Sequence, residues 1–220
     1  MCVDQHRKRL SADEINALPL CSYGGKVNLV RSEADWQEAM PDVKDETLLG
    51  FDTETRPSFK KGQTNKPSIV QLATRRAVYI VQLACLPFGA HLAEVLANPL
   101  QVKAGVGIND DMRELGRLYS FKPASIANLG TIAKGNRMSS QGLRSLAANL
   151  FGRRISKGMQ CSNWSNVELT RNQISYAATD AWMGRLIYLR MGELGLVERP
   201  PTGGDTRTAV QILKDTEAGE

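Results

Sequence analysis

LLGFDTET, residues 48–55, begins apolar and ends in acids. The lead-in reads as a strand entering a core, and the acids fall where further core residues would be expected. Residues two apart on a strand share a face, so Asp52 and Glu54 project side by side. Two carboxylates that close raise each other's pKa or require a cation between them.

The segments on either side build a layered pattern. RPSFKKGQTNKP (56–67) is a polar, basic loop, and SIVQLAT (68–74) and AVYIVQL (77–83) read as a hairpin turning at Arg75-Arg76. Upstream, VNLV (27–30) is a first strand, and SEADWQEAM (32–40) a helix capped by Ser32 with Asp35 three residues on. Downstream come a short amphipathic helix in HLAEVLANPL, a buried strand VKAGVGI (102–108) and a helix DDMRELGRLY that starts at its acids. SIANLGTIA is a strand running into a helix. SSQGLRSLAANLFG is a helix with Leu143, Leu146, Ala147 and Leu150 on one stripe and Gly152 as its stop. A long helix follows from Thr170, a candidate N-cap, through YAATDAWMG. Strand, hairpin, then alternating helices and strands predict an α/β layer fold.

Residues 1–25 are an N-terminal extension with a short helical piece that a Ser11/Glu14 capping box begins. Residues 26–196 form the main domain. Residues 197–220, rich in Pro, Gly and Thr at their start, are expected to be a disordered tail with at most a late helical turn.

Composition narrows the function classes. With 42% hydrophobic and 23% charged residues, 220 residues suffice for one well-filled core. No apolar run approaches the length that spans a bilayer, and the basic N-terminus lacks the apolar stretch of a secretory signal. Four cysteines without a CxxC pair argue against structural zinc and a disulfide framework, so a cytoplasmic location is expected. Two histidines leave little for a Ser-His-Asp triad or a histidine metal site. A net charge of +5 is compatible with a polyanionic partner, although the suspected site is acidic.

Further acids stand at informative places. Asp111 follows GVGIND at a strand-to-helix junction, and Asp180 lies one helical turn after Tyr176, on the same face. Each has a plain structural alternative: a solvated strand edge, a carboxylate complementing a helix dipole, or a tyrosine–aspartate packing pair. GVGIND is not a dinucleotide fingerprint, because Asp110 replaces the third glycine.

Taken together and in this order, DxE on an early strand, an Asp after a later strand and YxxxD on a late helix resemble the DEDD superfamily of 3′–5′ exonucleases, in its tyrosine-containing branch. The likeness is to Werner-syndrome-type and ribonuclease-D-like exonuclease domains and runs from about Val27 to Leu196. CSNWSNVELTRNQISYAATDAW carries most of it, with KAGVGINDD and LRSLAANLFG in support. The chain departs from the family at Gly130 and Thr131, where relatives often carry an additional Asp. Asp110 beside Asp111 leaves a register ambiguity, and the family spacing favours Asp111.

The resemblance implies a ribonuclease-H-like fold: a central mixed sheet of about five strands with helices on both faces. It implies two divalent ions, Mg²⁺ or Mn²⁺, held by Asp52, Glu54, Asp111 and Asp180, with Tyr176 orienting the attacking water or taking its proton. Hard cations prefer such carboxylate oxygens, and four carboxylates would balance two ions. The implied reaction removes nucleotides from the 3′ end of DNA or RNA as 5′-monophosphates, without an organic cofactor. A ribonuclease-D-like RNA trimmer and a non-catalytic nucleic-acid-binding module are the alternatives. Lys157 matches a lysine of the family pattern and is a candidate phosphate contact. Arg56, Lys60, Lys61 and Lys66 in the basic loop are further candidates, or else a solvated face. Leu72 is a candidate wedge under a terminal base, with a core role as its alternative. Trp164 and Trp182 are expected in the core rather than stacked on bases, and Arg153 and Arg154 as surface charge.

Overall fold

The structure, a computed structural model, describes residues 9–58, 65–198 and 206–218. In chain order its elements are α1 (Ala12–Ala17), β1 (Lys26–Val30), α2 (Glu33–Lys44), β2 (Leu48–Thr55), β3 (Pro67–Ala73), β4 (Ala77–Gln82), α3 (Ala90–Ala97), β5 (Val102–Gly105), α4 (Ile108–Gly116), β6 (Ile126–Asn128), α5 (Leu129–Gly135), α6 (Leu143–Phe151), α7 (Arg171–Glu193) and α8 (Ala209–Ala218). The strands form one mixed sheet in the order β1-β4-β3-β2-β5-β6. β3 is antiparallel to both neighbours and the other pairings are parallel. The sheet thus has six strands rather than about five, the sixth being the three-residue edge strand β6.

Side-chain alternation sorts the core onto two faces. Leu48, Ile69, Ile80 and Ala104 pack on one face beneath α7, with α6 and α8 contributing to the same cluster. Leu49, Phe51, Val70, Leu72 and Val81 fill the other face with Trp36 of α2, Leu92 of α3 and Met112 of α4. Helix α7 is buried along nearly all of Ala177–Met191, and a helix covered on every side carries no amphipathic stripe.

Several local expectations differ in detail. Helix α2 continues through Pro41 to Lys44 and carries the buried stripe Trp36, Ala39, Val43 across it. The strand expected over 102–108 stops at Gly105. Gly107 takes a left-handed φ of 75°, which turns the chain, and α4 begins at Ile108. The expected disordered tail is corrected: α8 puts Ala209 and Leu213 into the core cluster beneath α7. Its first N–H donates to Glu193 Oε1 at 2.6 Å, and Glu217 pairs with Arg153 at 2.9 Å. Arg153 therefore fastens α8 rather than serving as free surface charge. Arg154 donates through Nε to the Leu18 carbonyl at 3.0 Å and forms a parallel bridge with Leu20, which ties the N-terminal extension to the domain. Among the described residues no helix is long and apolar enough to cross a membrane.

Candidate active site

The site forms where β2 meets α7. Asp52 and Glu54 share the α7 face of β2, as their spacing predicts, and antiparallel β3 keeps the strand extended as far as Glu54, after which the register shifts. Helix α7 reaches them because residue 50 is glycine: a Cβ there would lie 2.0 Å from the Ala181 carbonyl oxygen. That close approach seats Asp180 over the acidic end of β2. The start of α7 is set by a capping box in which Thr170 and Gln173 exchange side-chain and backbone hydrogen bonds.

Asp52, Glu54 and Asp180 each present a carboxylate oxygen within 4.8 Å of the others. They line a cavity of about 590 Å³ together with Tyr176. Burial, then the negative charge of Asp180 and Asp111, pushes Glu54 up to about 8. Burial raises Asp180 to about 7 against a lowering hydrogen bond from Tyr176. Asp52 is held well above the ordinary carboxylate range by burial and by its three acidic neighbours. Tyr176 is also raised, by burial first and then by Asp180 and Glu54, so its hydroxyl stays neutral. Its ring packs on buried Trp164, with centroids 6.0 Å apart.

Asp111 stands beside this trio, not in it. It lies in the first turn of α4 and accepts a hydrogen bond from Thr53 Oγ1 at 2.6 Å. Burial raises it to about 6, partly offset by that bond, and its charge is felt by Asp52 and Glu54. Asp110 points to solvent and pairs with Arg113 at 2.9 Å, so geometry separates the two adjacent acids. At the departure of Gly130 and Thr131, the Asn128 side chain caps α5.

The fit to divalent cations can be judged from these atoms. The donor set is all oxygen, and Asp180 Oδ1 is buried without a hydrogen-bond partner. Such an orphan acceptor beside two further carboxylates is costly unless a cation satisfies it. The residues fit hard divalent ions.

The expected substrate contacts fare differently. Lys157 is exposed and lines the acidic cavity. Arg56 is exposed but lines a separate depression with Lys66. Lys60 and Lys61 lie outside the described residues. Leu72 is corrected: it is fully buried, opposite Phe51 and on the sheet face away from the acids, so it has no access to a nucleotide. Trp164 and Trp182 are both core residues. Sequence reasoning missed Thr53, whose hydroxyl bonds Asp111, and Arg144, which lines the cavity from α6. Thr53 falls between the two acids of DxE and Arg144 within LRSLAANLFG, at positions that those patterns leave open.

Comparison with known proteins agrees with this architecture. The bifunctional 3′-5′ exonuclease/ATP-dependent helicase WRN of Mus musculus is 31% identical over 190 residues, covering 81% of this chain and 13% of that protein. Exonuclease 3′-5′ domain-containing protein 2 of Mus musculus is 29% identical over 182 residues, 76% of this chain and 28% of its own length. The chain thus spans less than a third of either relative. In structure, the Aedes aegypti Nibbler EXO domain superposes with a TM-score of 0.69 at 21% identity, covering 96% of this chain and 99% of that domain. The sequence model described as 3′-5′ exonuclease matches residues 27–195. That span contains Asp52, Glu54, Asp111, Tyr176 and Asp180, and the chain belongs to the 3′–5′ exonuclease family, in the DEDD group of the Werner and ribonuclease D type.

Proposed function

We propose that the acidic cavity hydrolyses the terminal phosphodiester at the 3′ end of a DNA or RNA strand, releasing a nucleoside 5′-monophosphate, with two Mg²⁺ or Mn²⁺ ions as cofactors. The convergence of three carboxylate oxygens within 4.8 Å in a nucleotide-sized cavity carries this reading. When bound, such ions supply a water of lowered pKa and neutralise charge that develops on the phosphoryl oxygens. Asp52, Glu54 and Asp180 would hold them together with Asp111, whose Oδ1 accepts from Thr53 and whose second oxygen carries no such bond among the described residues.

In the reaction a water oxygen bonds to phosphorus, the P–O3′ bond breaks, and the shortened strand leaves with a 3′-hydroxyl. Tyr176 enters as a neutral phenol, because burial and the surrounding acids oppose its ionisation. It therefore orients the attacking water by hydrogen bonding and is not the base that takes its proton. A nucleic-acid substrate accords with the relatives, one of which, a Trypanosoma brucei RNase D, was solved in complex with RNA U12.

The test uses 3′-end-labelled single-stranded DNA and RNA in EDTA, Mg²⁺ or Mn²⁺, with wild type and Asp52→Ala. Release of labelled mononucleotide only with divalent ions, and only by wild type, is expected. Retained label under every condition would reject hydrolysis, and internal cuts would reject an exonuclease.

A further inference from the structure

The cavity has a second wall, built from residues outside the acidic set and partly outside the family match. Ala12 and Ile15 of α1 line it, although α1 precedes residue 27, where the match begins. Beside them stand Leu143 and Arg144 from the first turn of α6, and Lys157 from the loop that follows α6. Helix α1 is fixed in this place. Ile15 is buried, Asn16 Oδ1 accepts a hydrogen bond from Arg144 Nη2 at 2.5 Å, and Arg154 holds the Leu18 carbonyl.

Among the described residues the two basic groups on this wall, like Arg56, Arg137, Arg154 and Arg171, make no ion pair, and they are set apart by facing the acidic cavity. Arg31, Arg75, Arg76, Arg113, Arg117, Arg153, Arg185, Arg190 and Arg207 each pair with a carboxylate. Among the described residues, Arg144 and Lys157 have no carboxylate within ion-pair distance, although both line the cavity that holds Asp52, Glu54 and Asp180. Arg144 Nε is moreover a buried donor without an acceptor. A buried donor left unpaired costs about 1–3 kcal/mol, and a guanidinium presents a fork that matches a phosphate oxygen pair. The acids stay free for cations and the two basic groups stay free for an anion. Ala12, Ile15 and Leu143 add apolar surface to the same cavity.

Building on the exonuclease reading, we propose that α1 and Arg144 form the strand-binding subsite of the cavity. Arg144, oriented by Asn16, binds a backbone phosphate with Lys157, and the apolar side chains of α1 support the terminal nucleoside. Asn16 is a positioning residue, acting only through Arg144.

The experiment measures binding separately from hydrolysis. In an Asp52→Asn background that turns the chemistry off, fluorescence anisotropy follows a 5′-fluorescein-labelled single strand across a salt titration from about 50 to about 200 mM. Arg144→Ala is expected to weaken binding about tenfold and to reduce the slope of log K against log salt by roughly 0.7–1, one phosphate contact. Asn16→Ala is expected to weaken binding about threefold at an unchanged slope, because the charge remains but loses its orientation. In the active background, Ile15→Ala should raise KM with kcat within about twofold, the signature of lost ground-state binding. Arg144→Lys controls for folding: it keeps the charge and should restore the slope but not the full affinity. An Arg144→Ala protein that melts like wild type and keeps its salt slope overturns the proposal, as does one that loses thermal stability with affinity and slope intact. Neither outcome depends on whether wild type releases mononucleotides, so failure of the subsite and failure of the exonuclease reading remain distinguishable.

Discussion

Raising the pH of the metal-free protein is expected to destabilise it, and divalent cations are expected to reverse the loss. Burial and neighbouring acids move Glu54 from 4.5 to about 8. Between those values the folded protein keeps a proton that the unfolded chain has released. The stabilisation is fully present below pH 4.5 and is lost as pH rises through about 8. At about 1.4 kcal/mol per pH unit, a window of roughly 3.5 units (8 minus 4.5) gives a ceiling of about 5 kcal/mol for this group. Asp180, raised to about 7, and Asp111, raised to about 6, act with the same sign. Each is raised chiefly by its own burial, so its loss adds to that of Glu54, and the ceiling of about 5 kcal/mol refers to Glu54 alone. For a chain of this size about 1 kcal/mol moves Tm by roughly 2–4 °C, so a fall on the order of 10 °C is expected across the window. Lys103 acts with the opposite sign, because burial lowers it from 10.5 to about 8. Its effect is a gain in stability between about 8 and 10.5, outside the window. The assay is a set of circular-dichroism melts in EDTA and in Mg²⁺ or Mn²⁺, on wild type and Glu54→Gln. Wild type in EDTA should lose Tm with rising pH, Glu54→Gln should lose less, and saturating cation should add more as pH rises through about 8, because it then displaces fewer protons. An EDTA profile that is flat or rises over this range, with the same slope in Glu54→Gln, would refute the electrostatic account of the site.

Gly50→Ala places a methyl carbon against the Ala181 carbonyl and should cost roughly 1–3 kcal/mol or more; urea melts read the loss, and divalent-ion affinity should fall as Asp180 is displaced. Tyr176→Phe should lower kcat about 10²-fold with KM little changed, and because the phenol stays neutral its loss should leave the pH-rate profile unshifted below about pH 10; a shifted profile would make Tyr176 the base. Leu213→Ala should cost about 2–5 kcal/mol in a urea melt, since Leu213 is buried beneath α7; an unchanged midpoint would mean that α8 adds nothing to stability.

What could be read without coordinates was local in origin. Ser32 with Asp35 announces α2 and Thr170 the start of α7, because a cap needs only a few consecutive residues. The alternation in FDTET puts Asp52 and Glu54 on one face, and a four-residue spacing puts Tyr176 above Asp180, since strand and helix periods are properties of the nearby backbone. What the sequence could not decide are meetings between residues far apart in the chain. Gly50 admits α7 only because Ala181 crosses it, and Leu72 faces away from the acids because its register is set against Phe51. The apolar residues of α8 lie within four positions of each other after a Pro- and Gly-rich stretch, and their partner, α7, begins nearly forty residues earlier. Arg144 meets Asn16 across 128 positions. No period or motif encodes such contacts, because they arise when separate elements compete to bury surface in one shared core. The sequence by itself therefore specified the chemical groups and the faces that carry them, and the packing of the folded chain decided which faces meet.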